Sequence, residues 1–306
     1  GGSWRMWAFA RAVESHLKET GYDLVFGLGK TWSHDVIRLG GGCHATYLER
    51  TAAPTRFKDR LALRIEARAL AEGAYRKVIT NSQMVRDDVI KRHGVPGHAL
   101  EVIYNGVDLE RFHPALRQDR GMRLRRELDM TPDQPIVLFL GTGYERKGLD
   151  RALAAFHWVH SKDAATRLLI AGHASNQAKW EARARQLGLA DKVRFLGRRS
   201  DPETCYAAAD AYLLPTRYDP FANSTLEALA CGVPVVTTPD NGASELLTAG
   251  DAGSVVSNGD DAQALGSAVS QWLAEEPEST GARSLAEAHS ASRMARRTIE
   301  LLEALT

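Results

Sequence analysis

Cysteine is scarce in this chain of 306 residues, which holds only Cys43, Cys205 and Cys231. Widely spaced and odd in number, they exclude a disulfide framework and any Cys-x-x-Cys metal site, and they predict a cytosolic protein. Long hydrophobic runs are missing too. The longest apolar segments are strand-length, so no membrane-spanning helix is expected. Charge of one sign is not in excess either: 39 Lys and Arg stand against 38 Asp and Glu, a net +1. That balance gives no electrostatic case for nucleic acid as a partner. There is no internal repeat and no low-complexity tract. What is left, 44% apolar and 25% charged residues, is ordinary globular composition at a length suited to about two domains.

Two common phosphate fingerprints are also incomplete. In "VLFLGTGYERKGLD" (137–150) Gly141 and Gly143 fit the dinucleotide pattern Gly-x-Gly-x-x-Gly, but Arg146 stands at its third glycine. The P-loop pattern fails because Lys147 precedes Gly148 and Leu149 follows it. A dinucleotide oxidoreductase and an NTPase thereby lose their main support. A more general feature survives. A buried strand ends in a glycine turn, and Lys147 lies beside the start of a helix, "LDRALAAFHWVH". Free N–H groups and the positive end of the helix dipole favour an anion there, and Lys147 adds a full charge. A solvated lysine is the plain alternative.

Short apolar runs alternate with amphipathic stretches along the chain. Strands are expected at 22–29, 77–82, 135–141, 166–173, 192–197, 210–216, 234–238 and 252–257, and a strand with a turn at 100–108. "QMVRDDVIKRHG" reads as a helix closed by Gly94. Continuous apolar strands separated by helices predict an α/β fold, with doubly wound parallel sheets covered on both faces. The strands form two series, and the charged, strandless stretch at about 110–132 is expected to be the linker. The chain opens with Gly-Gly-Ser and enters a helix directly, so its first domain is expected to lack opening strands.

The segment "LLPTRYDPFANSTLEALACGVPVVTT" (213–238) runs from a strand through a loop to a helix that starts near Ala222 or Asn223. Asp219 and Glu227 bracket this helix start. Such an arrangement suits a ligand with both a phosphate and a diol: backbone N–H groups take the first and carboxylates the second. Complementing the helix dipole would explain one of the acids, but less readily an acid more than a turn inside the helix.

"GTGYERKGLDRAL", "FLGRRSD…YAAADAYLLPT", "YDPFANSTLEALACGVPVVTT" and "NGASEL", in this order, resemble the retaining family-4 glycosyltransferases of the GT-B fold. "VITNSQMVRDDVIKRHGVP…VIYNGVDLERFHP" is similar to the end of their first domain. "GGGCHATYLER" and "GTGYERKG" look most like the lipopolysaccharide-core branch, of the glucosyltransferase I type. The resemblance implies two Rossmann-like domains: a partial acceptor-side domain at 1–112, a donor-binding domain at 113–290, and a helix at 291–306 packing back on the first. It implies transfer of a hexose from a nucleoside-diphosphate sugar, of which UDP-glucose fits the branch best, to a glycan or glycolipid such as lipopolysaccharide core, with retention.

By resemblance, Lys147 holds the donor diphosphate, helped by Arg146 or Arg198, and Gly141 and Gly143 form the turn beside it. Glu227 takes the ribose hydroxyls. Asp219 stands where the family has a Glu near the donor sugar. Ala222, Asn223 and Ser224 offer backbone N–H groups to the diphosphate, and Gly197 and Arg198 match the loop against the nucleobase. His44 belongs to the acceptor side, and Asp219, Lys147 and His44 are the catalytic candidates. Thr142 replaces the arginine common five positions before the lysine, and Gly41 replaces an aspartate of many relatives. No metal and no cofactor beyond the sugar nucleotide is expected, since cations and a helix dipole supply the charge that Mg²⁺ supplies elsewhere.

Several readings stay open. Cys43 beside His44 suggests a thiol nucleophile, but adjacent residues seldom pair and no orienting group is evident. Trp4, Trp7 and Phe9, with Arg5 and Arg11, suit either a peripheral contact at the inner face of the inner membrane or a core face bared by missing strands. A non-catalytic module that binds a nucleotide sugar and needs a complementing N-terminal segment is the alternative to an active transferase.

Overall fold

Parallel neighbours in a sheet need crossover connections, so apolar runs separated by amphipathic stretches should alternate as strand and helix. The computed structural model describes residues 2–173, 176–247, 250–275 and 281–306. It divides into two units, Gly1–Asn105 with Ser292–Thr306, and Gly106–Ala291.

Unit 1 contains α1 (Gly2–Glu19), β1 (Phe26–Gly27), β2 (Val36–Leu39), α2 (His44–Thr51), α3 (Phe57–Ala69), β3 (Lys77–Thr80), α4 (Gln83–His93) and β4 (Leu100–Val102). Its sheet follows chain order, β1-β2-β3-β4, with every pair parallel. Side chains alternate across it. Ile37 and Val78 join Ile65, Leu70 and Val89 in one core, while Val36 and Ile79 face the other way with Ile103. Helix α4 starts where the Ser82 hydroxyl accepts the Val85 N–H at 3.2 Å, and it stops at Gly94 (φ 67°).

Two expectations are corrected in this unit. β2 is absent from the strands expected from sequence, because "VIRL" is short, carries Arg38 and runs straight into Gly40–Gly42. Arg38 is held by the carbonyl of Ile103 and the side chain of Asn105, at 3.0 and 2.9 Å. The strand expected over 22–29 shrinks to Phe26–Gly27. The Val25 N–H goes to the Asp35 carboxylate at 2.8 Å instead of to a neighbouring strand, and Leu28 is left 73% exposed.

Unit 2 contains α5 (Met122–Glu127), β5 (Ile136–Thr142), α6 (Leu149–Lys162), β6 (Arg167–His173), α7 (Gln177–Gln186), β7 (Val193–Gly197), α8 (Pro202–Ala208), β8 (Ala211–Leu214), α9 (Asn223–Ala230), β9 (Val235–Thr237), β10 (Gly253–Val255), α10 (Ala262–Leu273) and α11 (Ala282–Ala288). All its strands are parallel, in the order β10-β9-β8-β5-β6-β7. The order reverses at β5. The chain lays down β6 and β7 on one side, then returns to lay β8, β9 and β10 on the other. Ile136, Val137, Leu138 and Phe139 of β5 are fully buried, as a strand covered on both faces requires.

The stretch at 110–132 is not a linker. It belongs to unit 2, where a π-helical turn (Arg117–Gly121) leads into α5. Arg125 is 2% exposed; it donates to the carbonyls of Pro132, Gln134 and Ala208 and pairs with Asp210 at 2.8 Å. Its charge serves a buried corner and not a solvated connection. The seam lies between Asn105 and Gly106, before the expected 112. A last helix, α12 (Ala291–Glu303), crosses back, and its Met294, Leu301 and Leu302 pack with Leu305 on Val36, Ile79 and Ile103 of unit 1. Among the described residues no helix is long and apolar enough to cross a membrane.

Candidate functional site

In an open parallel sheet, ligands bind beyond the carboxyl ends of the strands where the strand order reverses, because neighbouring loops part there. In unit 2 that point lies between β5 and β8. The loop after β5 carries Arg146 and Lys147; the loop after β8 carries Asp219. Lys147 Nζ lies 2.7 Å and Arg146 Nη1 2.8 Å from the same oxygen, Asp219 Oδ2. Lys147 and Asp219 are each 7% exposed. Two cations thus share one carboxylate, leaving a local positive excess. Burial pushes the Asp219 carboxyl up, but the charges of Lys147 and Arg146 outweigh burial and hold it below the ordinary aspartate value.

Backbone contacts fasten the two loops. The Arg146 carbonyl accepts from the Arg217 N–H at 2.9 Å and from the Thr216 hydroxyl at 3.0 Å. Gly148 precedes α6 in a left-handed conformation (φ 76°), and a Cβ there would stand 2.0 Å from the Pro215 carbonyl oxygen. No larger residue fits this crossing. At Gly141 the missing side chain leaves room for the Lys147 stem, which would lie 3.3 Å from a Cβ. Gly143 makes the turn that the Lys147 N–H closes onto the Gly143 carbonyl at 3.1 Å.

Helix α9 begins beside the cluster. Asp219 Oδ1 accepts the Phe221 N–H at 3.2 Å. The fully buried Asn241 spreads its amide through the same region, accepting from the N–H groups of Ala222 and Ala243 and donating to the hydroxyls of Thr225 and Thr237. One turn into α9, Glu227 accepts the Tyr206 hydroxyl at 2.8 Å. Burial raises the Glu227 carboxyl above its ordinary value, while the Tyr206 hydrogen bond and the charges of Arg111 and Lys147 act against that rise. Burial likewise raises the Tyr206 phenol well above its ordinary value, so it stays protonated and donates.

Comparison with known proteins gives this geometry a family. Residues 123–290, more than half of the chain, match the model of "Glycosyl transferases group 1", and residues 1–111 match that of "Glycosyltransferase Family 4". The chain is a group 1 glycosyl transferase. The lipopolysaccharide glucosyltransferase WaaG of Escherichia coli K12 is 25% identical to it over 271 residues, 87% of this chain and 72% of that protein. A crystal structure of WaaG superposes with a TM-score of 0.79 at 22% identity, over 95% of this chain and 80% of that one. The Anabaena protein HepE, crystallised with UDP and glucose, gives a TM-score of 0.71 at 23% identity, over 88% and 71%. These two likenesses show the GT-B fold. The chain spans 44% and 61% of the length of the first two curated relatives it matches.

Within this group 1 glycosyl transferase, tertiary structure gathers Gly141, Gly143, Arg146, Lys147 and Asp219 at the switch point, with Ala222, Asn223, Ser224 and Glu227 on the neighbouring helix start. Two of these groups are already engaged within the protein. Asp219, expected on sugar hydroxyls, is engaged by two cations. The Ala222 N–H, expected on the diphosphate, is already donated to Asn241 at 3.1 Å. Gly197 ends β7, two strands from β5 at the sheet edge, and Arg198 after it is exposed. Its neighbour Arg199 is the one that pairs, with Asp201 at 2.8 Å. Sequence reasoning passed over Tyr206 and Asn241, although both lie inside the family segments.

His44 lies in unit 1 at the start of α2, with Nε2 3.1 Å from Asp59 Oδ1. It lines a cavity of about 430 Å³ with Lys30, Arg38, Tyr47 and Glu66. Such a volume is within the usual range of small-molecule sites. Trp7 packs on Trp32, ring centres 4.8 Å apart, whereas Trp4 and Phe9 are exposed.

Proposed function

We propose that this glycosyl transferase moves a hexose from UDP-glucose or a closely related UDP-sugar to a glycan or glycolipid acceptor of the lipopolysaccharide-core kind, with retention and without a divalent cation on the diphosphate. The observation that carries the proposal is the Lys147–Asp219–Arg146 cluster at the unit 2 switch point. A diphosphate arriving there meets two cations that a single carboxylate does not neutralise, beside a helix start. Glu227, held by Tyr206, is set to accept hydrogen bonds from the ribose diol. UDP bound to HepE and the name of WaaG support the choice of donor and acceptor.

In the proposed reaction the bond between the anomeric carbon and the diphosphate oxygen breaks, and its electron pair leaves with UDP, stabilised by Lys147 and Arg146. The acceptor oxygen bonds the anomeric carbon from the same face and passes its proton to the departing phosphate. Asp219 positions the two cations and is not the nucleophile. His44 and the unit 1 cavity are assigned to the acceptor. The reaction is placed in the cytoplasm at the inner face of the inner membrane. Mass-detected transfer from UDP-glucose, with Lys147→Ala as control, tests the reading; calorimetric UDP binding that needs an added divalent ion overturns its metal-free step.

A second reading rests on β1, which has a neighbour on one side only among the described residues, and on the exposed Phe9 and Leu28. In it the chain binds UDP but transfers no sugar by itself. Calorimetric UDP binding without turnover favours this reading.

A further inference from the structure

Unit 1 brings together three side chains that no part of the proposed transfer uses in common. Cys43 is the residue before α2, Glu66 lies on α3 and His93 is the last residue of α4. They stand 23 and 27 positions apart in sequence, without the short spacing of a metal motif. In space one ligand atom of each, the Cys43 sulfur, a Glu66 carboxylate oxygen and a His93 ring nitrogen, lies within 4.8 Å of the other two. His93 Nε2 and Glu66 Oε1 are 3.2 Å apart. Around a tetrahedral zinc ion, N, O and S ligands stand roughly 3.3–3.5 Å from one another, so closing this set needs movements on the order of 1 Å.

An ion pair between His93 and Glu66 beside an inert buried thiol is the plain account of these contacts. Three features go beyond it. Three separate elements deliver three chemically different donors to one point, and that set of S, N and O is one zinc accepts. The other oxygen of Glu66 accepts the His44 backbone N–H at 2.9 Å, the kind of outer contact that orients a carboxylate ligand. Cys43 has no exposed surface, so its sulfur is sheltered from bulk water.

We propose that Cys43, Glu66 and His93 form a zinc site that ties the Gly40–Gly42 turn to α3 and α4. On binding, the Cys43 S–H bond breaks, the proton passes to water and the thiolate coordinates, with His93 neutral and Glu66 ionised. Three protein ligands leave a fourth position for water. Because Glu66 also lines the unit 1 cavity, the ion braces that wall. None of the three ligands is assigned to the donor, so the site is independent of the chemistry at Lys147.

Cobalt provides the test, since a thiolate bound to tetrahedral Co²⁺ absorbs where aqueous Co²⁺ does not. Full-length protein, stripped with chelator, is titrated with Co²⁺ and then with Zn²⁺. The expected result is a thiolate-to-metal band that saturates at one equivalent, is bleached by Zn²⁺, disappears in Cys43→Ser and persists in Cys205→Ser and Cys231→Ser. His93→Gln, which leaves Cys43 in place, is expected to weaken Co²⁺ binding at least about tenfold, and serves if Cys43→Ser fails to fold. No band in the wild type, or a band that survives in Cys43→Ser or binds equally well in His93→Gln, overturns the site.

Discussion

Both units are built from parallel strands linked by helices, yet they end with different chemical equipment. In unit 2 the strand order reverses at β5, so the loops after β5 and β8 part and three charged side chains meet between them. In unit 1 the strands follow one another from β1 to β4 without reversal, and the polar pairs His44–Asp59 and Glu66–His93 are carried by helices α2, α3 and α4. Strand order, more than strand composition, decides where charged loops converge.

The largest effect expected is in unit 2 alone. Lys147→Ala should lower kcat/KM for transfer from UDP-glucose about 10²–10³-fold, the cost of removing one preorganised charge from a leaving group. His44→Ala should weaken acceptor use and leave calorimetric UDP affinity unchanged. A loss of UDP affinity in His44→Ala would break the division of labour between the units. Asp219→Ala strands two cations, one of them buried, and should lower stability by about 3–5 kcal/mol in urea unfolding. Gly148→Ala drives a Cβ into the Pro215 carbonyl at a left-handed position and should cost about 1–3 kcal/mol in the same measurement.

A pH effect comes next in size. The Glu227 pKa is raised in the folded protein, so between the unfolded and folded values the native state holds a proton that the unfolded chain has lost. Stability from this group is full below the unfolded value and falls as pH rises through the folded one. Ribose binding has the opposite sign, because it needs the carboxylate. UDP affinity should therefore begin to fall on acidification at a higher pH than an ordinary glutamate would impose. Tyr206→Phe removes a hydrogen bond that favours the charged form and should move that fall to higher pH. An unmoved midpoint in calorimetric titrations would separate Glu227 from the ribose. The smallest effect belongs to Arg198→Ala, expected to change stability by no more than about 0.5 kcal/mol and to leave UDP affinity intact.

Much of unit 2 was legible in advance because its strands are continuous apolar runs such as 136–139, which remain buried whatever surrounds them. The helix start at Asn223 was legible from the family segments. Short or interrupted strands were not. "VIRL" has neither the length nor the pattern to announce β2, and charge at 110–132 read as solvated although Arg125 is buried. Tyr206 and Asn241 were missed for a related reason: a hydroxyl or amide gains its role from the partner it meets, and those partners lie 21 and 19 positions away, at Glu227 and Ala222.

The sequence alone determined the α/β class, the lack of a disulfide framework and the segments that mark the family, because periodicity, composition and local motifs are properties of neighbouring residues. Tertiary structure decided the pairing of Asp219 with Lys147 and Arg146, the seam at Gly106, the return of α12 to unit 1 and the meeting of Cys43, Glu66 and His93. Each of these depends on strand order and helix packing between residues far apart in the chain, where energies act over a few ångströms of space whatever the separation in sequence.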